Sequence, residues 1–431
     1  MQDFIKTMQK SPFLIGGSII LTGSLLTSVL NYVFNLVMGR MLSPSDYGAV
    51  VSLVTLTMLA GVPGSALTLM LAKRTAVLKA RADYASAAQL FRFVQRISWI
   101  AGIIGTAVLL ALTPFFARFF HTEPLPFIIF SLIAPVTLLA ASGGGILQGN
   151  GQFVHLSAFR FLSTAGKLAL SIALVWIGLS VSGVIAAVII GSLLSYMYAR
   201  WALMSKITRT LGSGIATQVD AADYSWRTFI GAIPQILGPI FYATVLITIF
   251  TSIDVIIVKH FLEAHAAGEY SALAIIGRIV TYSGLAIVTV LLPEASAAHA
   301  KRAGSGARLL EQSLLLVLVT GAAIAALFFI APQLVITLLF GATYQSVAPY
   351  LGLFGLAMLF GSLSFVFVHY YMATQAKYFL YPFGAATMVL IIGLWLYHSS
   401  IQQIAFVQLV ANGLLLITMG SVYFIERKRC L

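Results

Sequence analysis

Runs of roughly 20 apolar residues recur along this chain, parted by short polar breaks, and a helix of that length crosses about 30 Å of hydrocarbon. The pattern predicts twelve membrane spans, near 13–38, 47–72, 97–117, 125–148, 157–178, 183–204, 229–258, 270–292, 312–331, 349–372, 379–398 and 403–425. The expected fold class is therefore an all-α polytopic membrane protein. Composition agrees: 60% of the 431 residues are hydrophobic and 9% are charged, against about 25% charged in soluble domains. The N-terminal MQDFIKTMQKSPF leads straight into a span too long for the apolar core of a secretion signal, with no evident cleavage site, and is expected to be retained. The lone cysteine, Cys430, excludes an intrachain disulfide and a cysteine metal cage.

One stretch has an echo. Asn31–Gly48 (NYVFNLVMGRMLSPSDYG) leaves the first span, turns and enters the second, and Asp254–Ser271 (DVIIVKHFLEAHAAGEYS) does the same in the second half. An ungapped offset of 223 residues sets Asp254 opposite Asn31 and Glu269-Tyr270 opposite Asp46-Tyr47. Identity is low, but both copies hold the same place in the pattern of spans. Pro114 and Pro332 likewise close spans three and nine, each followed by a short apolar stretch. The chain therefore reads as a six-helix bundle at 1–205, a polar cytoplasmic linker at 206–228 and a second bundle at 229–431. If each half begins on the same side, the two are parallel repeats about an axis along the membrane normal.

The net charge of +13 follows the topology. Nineteen basic residues fall in breaks on one side, including the Lys73–Arg96 loop, and only Arg40, Arg118 and Lys259 lie toward the other. That is a strong positive-inside bias, which puts both termini in the cytoplasm and the basic excess against anionic lipid headgroups. No nucleic acid is expected as a partner.

LSPSDYG at 42–48 resembles the Leu-x-Pro-x-(Asp/Glu)-Tyr-Gly turn of the oligosaccharide flippases and polysaccharide exporters of the multidrug/oligosaccharidyl-lipid/polysaccharide superfamily. AAGEYSA at 266–272 is similar to that family's second-half counterpart, and the hairpin LQGNGQF at 147–153 fits as well. The resemblance runs over essentially the whole chain. It implies a non-enzymatic carrier of two six-helix bundles around a central cavity, moving lipid-linked sugar units to the outer leaflet of the cytoplasmic membrane by alternating access.

Charges inside spans carry the chemistry, because each costs at least a few kcal/mol unless it meets water or a partner. Arg160 and Lys167 share a face of span five, seven residues apart. Arg160 either snorkels to the cytoplasmic surface or lines a cavity. Lys167 and Arg278 lie deep, and either line a cavity or sit in structural ion pairs. Asp254 is the one carboxylate well associated with a span; it is either an ion-coupling site or the partner of Arg278 or Lys259. Ser24, Ser28, Asn31 and Asn35 make a polar stripe on span one, serving as helix–helix glue or as a cavity lining. Thr244, Thr248 and Thr251 repeat it on span seven, and Pro234, Pro239 and Pro63-Gly64 offer places to bend.

Buried positive charge suits an anion, and a polyprenyl diphosphate head group is a natural partner for Lys and Arg. The expected ligand is thus a polyprenyl diphosphate-linked oligosaccharide, with Lys167, Arg278 and Arg160 on the diphosphate and Ser28, Asn31 and Asn35 on sugar hydroxyls. Glycosyltransferases and a polymerase of the same pathway are possible partners, and no cofactor or metal is expected. A cation-coupled drug exporter is the rival within the superfamily, but such carriers need buried carboxylates and span one has none. A membrane enzyme acting on lipid-linked sugars is the other; the outer breaks are short, and the cluster His260, Glu263, His265 and Glu269 reads as a solvated turn. Gly166-Lys167 lacks the remaining residues of a phosphate loop, so no nucleotide site is expected.

Overall fold

Every expected span meets helix in the computed structural model, which describes residues 12–81, 83–211, 238–300, 305–374 and 376–430. The described residues contain no strand. In chain order the helices are α1 Pro12–Met41, α2 Pro44–Ala60, α3 Val62–Ala80, α4 Tyr84–Ala111, α5 Thr113–Phe120, α6 Leu125–Ser131, α7 Ile133–Gly149, α8 Phe153–Trp176 and α9 Ser180–Leu211. There follow α10 Pro239–Phe250, α11 Ile253–Phe261, α12 Ala264–Ala300, α13 Ser305–Ile330, α14 Pro332–Leu339, a 3-10 turn at Ala342–Val347, α15 Ala348–Ala373, α16 Leu380–Leu396 and α17 Ile401–Cys430. Nine spans are long and apolar enough to cross a membrane among the described residues, or ten if the bent pair α2–α3 counts as one. Helices α12 and α16 cover expected spans eight and eleven, α16 being a shorter apolar helix. Large apolar side chains point outward along α4 and α13, with Ile103 62% and Val319 60% exposed. In water such a surface would aggregate; in a bilayer it is the ordinary exterior.

The chain packs as two compact units. The N-terminal unit comprises Met1–Met41 and Leu56–Ile236, and the C-terminal unit comprises Leu42–Thr55 and Leu237–Leu431. The division departs from the sequence boundary in one place: the LSPSDYG turn and most of α2 pack with the C-terminal unit. Tyr47 explains this. It is fully buried, its ring 5.6 Å from that of Phe340 and 6.1 Å from that of Tyr344. Gly48 lies so near Gly268 that an added Cβ would stand 2.8 Å from the Gly268 nitrogen, and a Cβ on Gly268 would run into the Pro44 carbonyl. The two echoed turns therefore meet backbone to backbone, and their glycines are what permit it.

The repeated order of elements is visible in each unit. Pro114 opens the short helix α5 after α4, and Pro332 opens α14 after α13. Proline at the first turn loses no helical hydrogen bond, so it ends one helix and starts the next. Pro63 acts similarly at the start of α3, where the α2–α3 pair is bent by 40°. Span seven breaks instead at Thr251-Ser252, between α10 and α11.

The basic Lys73–Arg96 segment differs from the expected loop. Helix α3 runs on through Lys79 and α4 begins at Tyr84, capped by Asp83, whose side chain accepts from the Ser86 nitrogen. The lysine, alanine and leucine of this segment favour helix, so only the turn between them is irregular. The Lys79 ammonium donates to the Asn150 carbonyl at 2.6 Å, placing the LQGNGQF hairpin at the same end of the unit. Helix α9 continues to Leu211, and the rest of the expected linker, with Pro234, lies outside the described residues.

Candidate functional site

In the N-terminal unit α1 and α8 run side by side in one direction. The Ser157 hydroxyl donates to the Ile19 carbonyl at 3.2 Å, Arg160 Nη1 to Ser24 Oγ at 3.4 Å, and Lys167 Nζ to Asn31 Oδ1 at 2.6 Å. The last two pairs share an offset of 136 residues, as parallel helices in register require. Helix α9 fixes the depth of Lys167 by closing on the α8 backbone there: a Cβ on Gly191 would lie 2.8 Å from the Lys167 nitrogen.

Lys167 sits near the middle of the 24-residue α8 and is half-buried. Its ammonium bonds the Asn31 amide oxygen and lies 4.0 Å from the centroid of the Phe34 ring, itself buried. An amide oxygen and a ring face offer only partial negative charge, worth about 0.5–2 kcal/mol in the case of the ring. Among the described residues no carboxylate lies within 4 Å of this ammonium. Lys167 thus has no carboxylate to cancel its charge, and spare donors, in the membrane-spanning part of the unit.

The polar stripe on α1 is partly committed to its own helix. Thr27 Oγ1 donates to the Gly23 carbonyl at 2.7 Å, Asn31 Nδ2 to Thr27 at 3.1 Å, and Asn35 Nδ2 to Asn31 at 2.8 Å. The bond from Asn31 Nδ2 turns that side chain so that its oxygen meets Lys167. Ser28 is exposed and Asn35 half-buried. Arg160 is exposed, with the longer contact to Ser24. Phe34 and Thr27 were not picked out in the sequence; their spacing of three and four residues from Asn31 is the signal that marks them.

Arg278 ends in different company. In the C-terminal unit the break at Thr251-Ser252 puts Asp254 in the first turn of α11, 1% exposed, where helix N-terminal amides favour negative charge. Arg278 Nη2 donates to Asp254 Oδ1 at 2.8 Å, and the Tyr270 hydroxyl donates to Oδ2 at 2.8 Å. Elsewhere in the unit Asn412 Nδ2 donates to the Gln408 carbonyl at 2.8 Å. Of the two partners considered for Asp254, Arg278 takes it; no ion pair to Lys259 occurs among the described residues. Of the two roles expected for Arg278, on a substrate diphosphate or in a structural ion pair, the second is the one its geometry forms here, because a buried guanidinium and carboxylate this close satisfy each other. The Thr248 and Thr251 hydroxyls bond carbonyls of their own helix, at 2.8 and 2.7 Å. Within the turn that carries His260, Glu263, His265 and Glu269, His265 lies 3.6 Å from Glu269, and no group of three or more metal-ligating His, Cys, Asp or Glu side chains converges among the described residues.

Helices throughout, an apolar exterior and charged side chains held within the spans define a multi-pass membrane protein. The family model described as polysaccharide biosynthesis protein matches residues 13–299, and the chain belongs to that family. No curated protein matches it in sequence. Among solved structures it is similar to a multidrug resistance MATE family transporter of the MOP superfamily in an inward-facing conformation, with a TM-score of 0.73, 14% identity and coverage of 94% of each chain. It is also similar to the lipid II flippase MurJ in an inward closed conformation, with a TM-score of 0.68, 15% identity and coverage of 94% of this chain and 87% of that one. A MOP superfamily transporter from Pyrococcus furiosus, described as having a binding pocket of reverse polarity, matches with a TM-score of 0.60, 15% identity and coverage of 98% and 96%. At these identities the likeness is one of fold.

Proposed function

We propose that the protein is a flippase that moves a polyprenyl diphosphate-linked oligosaccharide from the cytoplasmic to the outer leaflet of the cell membrane, for the synthesis of a surface polysaccharide. The observation that carries this is Lys167: a membrane-embedded ammonium whose partners are a neutral amide and an aromatic ring. A charge left uncompensated at that depth is costly, and an anionic ligand offsets the cost. Arg160, two turns nearer the start of α8 and exposed, stands on the same face to meet the anion first. Asn35 and Ser28 offer hydrogen bonds for sugar hydroxyls beside it. The family assignment supports a role in polysaccharide synthesis, and a lipid II flippase of the same fold supports a lipid-linked cargo. A drug exporter of the superfamily has the fold in common, but a cationic drug would meet Lys167 as a like charge.

The basic residues of the α3–α4 turn belong in the cytoplasm, along with both termini. The test of function is made in cells lacking the gene and complemented with variants. Lys167→Met is expected to accumulate lipid-linked sugar on the cytoplasmic face while its membrane abundance stays normal, and Lys167→Arg is expected to retain part of the transport. Undiminished surface polysaccharide in Lys167→Met at normal abundance would remove the proposal. An impermeant thiol reagent that labels a cysteine placed at Arg81 from outside intact cells would overturn the topology.

A further inference from the structure

Asp254 has the surroundings of a cation site, and its cation is part of the chain. The carboxylate is buried at the break in span seven, beside the Tyr270 hydroxyl. Oxygen donors of this kind are what hard metal cations take. Yet Oδ1 already receives Arg278 Nη2 at 2.8 Å and Oδ2 receives Tyr270 at 2.8 Å. Tyr270 and Arg278 stand eight residues apart on α12, so one helix face delivers both to the carboxylate.

We infer that Arg278 is a tethered counter-ion filling what would otherwise be a monovalent-cation site, so that the protein binds no Na+, Li+ or K+ at Asp254. A guanidinium stays charged at any working pH. A second positive charge a few ångströms from it is repelled by the Coulomb term that holds the guanidinium in place. The guanidinium cannot leave the carboxylate without becoming an unpaired charge in the membrane interior. Transport therefore draws on no metal cation at this position, whatever the cargo; the inference does not depend on the identity of the lipid-linked substrate. Cutting the tether while keeping the carboxylate opens the site.

The experiment is thermal unfolding of the purified full chain in lipid nanodiscs, in NaCl, LiCl or KCl against choline chloride at equal ionic strength. The wild-type protein is expected to unfold at the same temperature in all four. Arg278→Ala is expected to unfold at a lower temperature in choline chloride and to regain about 3 °C or more in NaCl or LiCl, saturating with concentration as a bound ligand does. Arg278→Ala combined with Asp254→Asn is expected to lose that response. If Arg278→Ala does not purify, Arg278→Gln, nearer in volume, carries the same comparison, and the wild-type arm decides alone if neither does. A sodium-dependent rise in the wild type that Asp254→Asn abolishes would show that Arg278 yields to a cation and would overturn the inference. So would a folded Arg278→Ala protein indifferent to all three ions.

Discussion

Lys167 in the N-terminal unit and Arg278 in the C-terminal unit are both cations held within spans, and their partners differ by one functional group. Lys167 meets the amide of Asn31; Arg278 meets the carboxylate of Asp254. The repeat aligns those two partners, since the 223-residue offset sets Asp254 opposite Asn31. An amide orients a cation without cancelling it, whereas a carboxylate cancels it. One unit thus presents a charge that a ligand can use, and the other turns the same kind of charge into internal structure.

The largest test of that difference is stability. Arg278→Ala strands a buried carboxylate and is expected to cost about 3–5 kcal/mol, read as low membrane abundance and early unfolding. Lys167→Met removes a charge with no carboxylate partner and is expected to leave abundance and unfolding temperature unchanged. Equal losses from the two would erase the distinction between the units.

The backbone contact beside the Arg278 network gives the next effect. Gly268→Ala places a methyl group against the Pro44 carbonyl, which has little freedom to yield. Overpacking of this kind costs about 1–3 kcal/mol, so the unfolding temperature should fall, with Gly48→Ala behaving alike. An unchanged unfolding temperature in both would show that the two turns are not held together as described.

The sequence made the helices, their breaks at Pro63, Pro114 and Pro332, and the candidate charges legible, because apolar run length and proline act locally. It left open whether Arg278 binds ligand or pairs with Asp254, since that depends on the break at Thr251-Ser252, where no proline marks the chain. Nor could spacing show that Asn31 turns its oxygen toward Lys167, which follows from the bond of its own Nδ2 to the Thr27 carbonyl along α1. The packing of Tyr47 with Phe340 and Tyr344 joins residues some 300 positions apart, and no local pattern encodes that.

A smaller effect, away from both charges, concerns Asp83. Hydrogen bonds from Ser86 hold its carboxyl below the usual carboxylate range. A depressed folded-state pKa means that its contribution is present above the unfolded value and is lost as pH falls through the folded one. Asp83→Ala is expected to cost about 1 kcal/mol at neutral pH and progressively less as acid protonates the carboxyl, measured as unfolding temperature against pH. A cost that persists undiminished in acid would argue against the cap.

The most direct measurement is the affinity of the purified full chain for a short-chain polyprenyl diphosphate, for the wild type, Lys167→Met and Asn31→Asp. Asn31→Asp gives Lys167 the carboxylate that Arg278 already has, with almost no change of shape. Loss of charge-assisted hydrogen bonds worth about 1.5–3 kcal/mol is expected to weaken binding roughly ten- to a hundredfold in both variants, with unfolding temperature maintained. Affinity in Asn31→Asp equal to that of the wild type would contradict the claim that an uncancelled Lys167 is what the ligand needs.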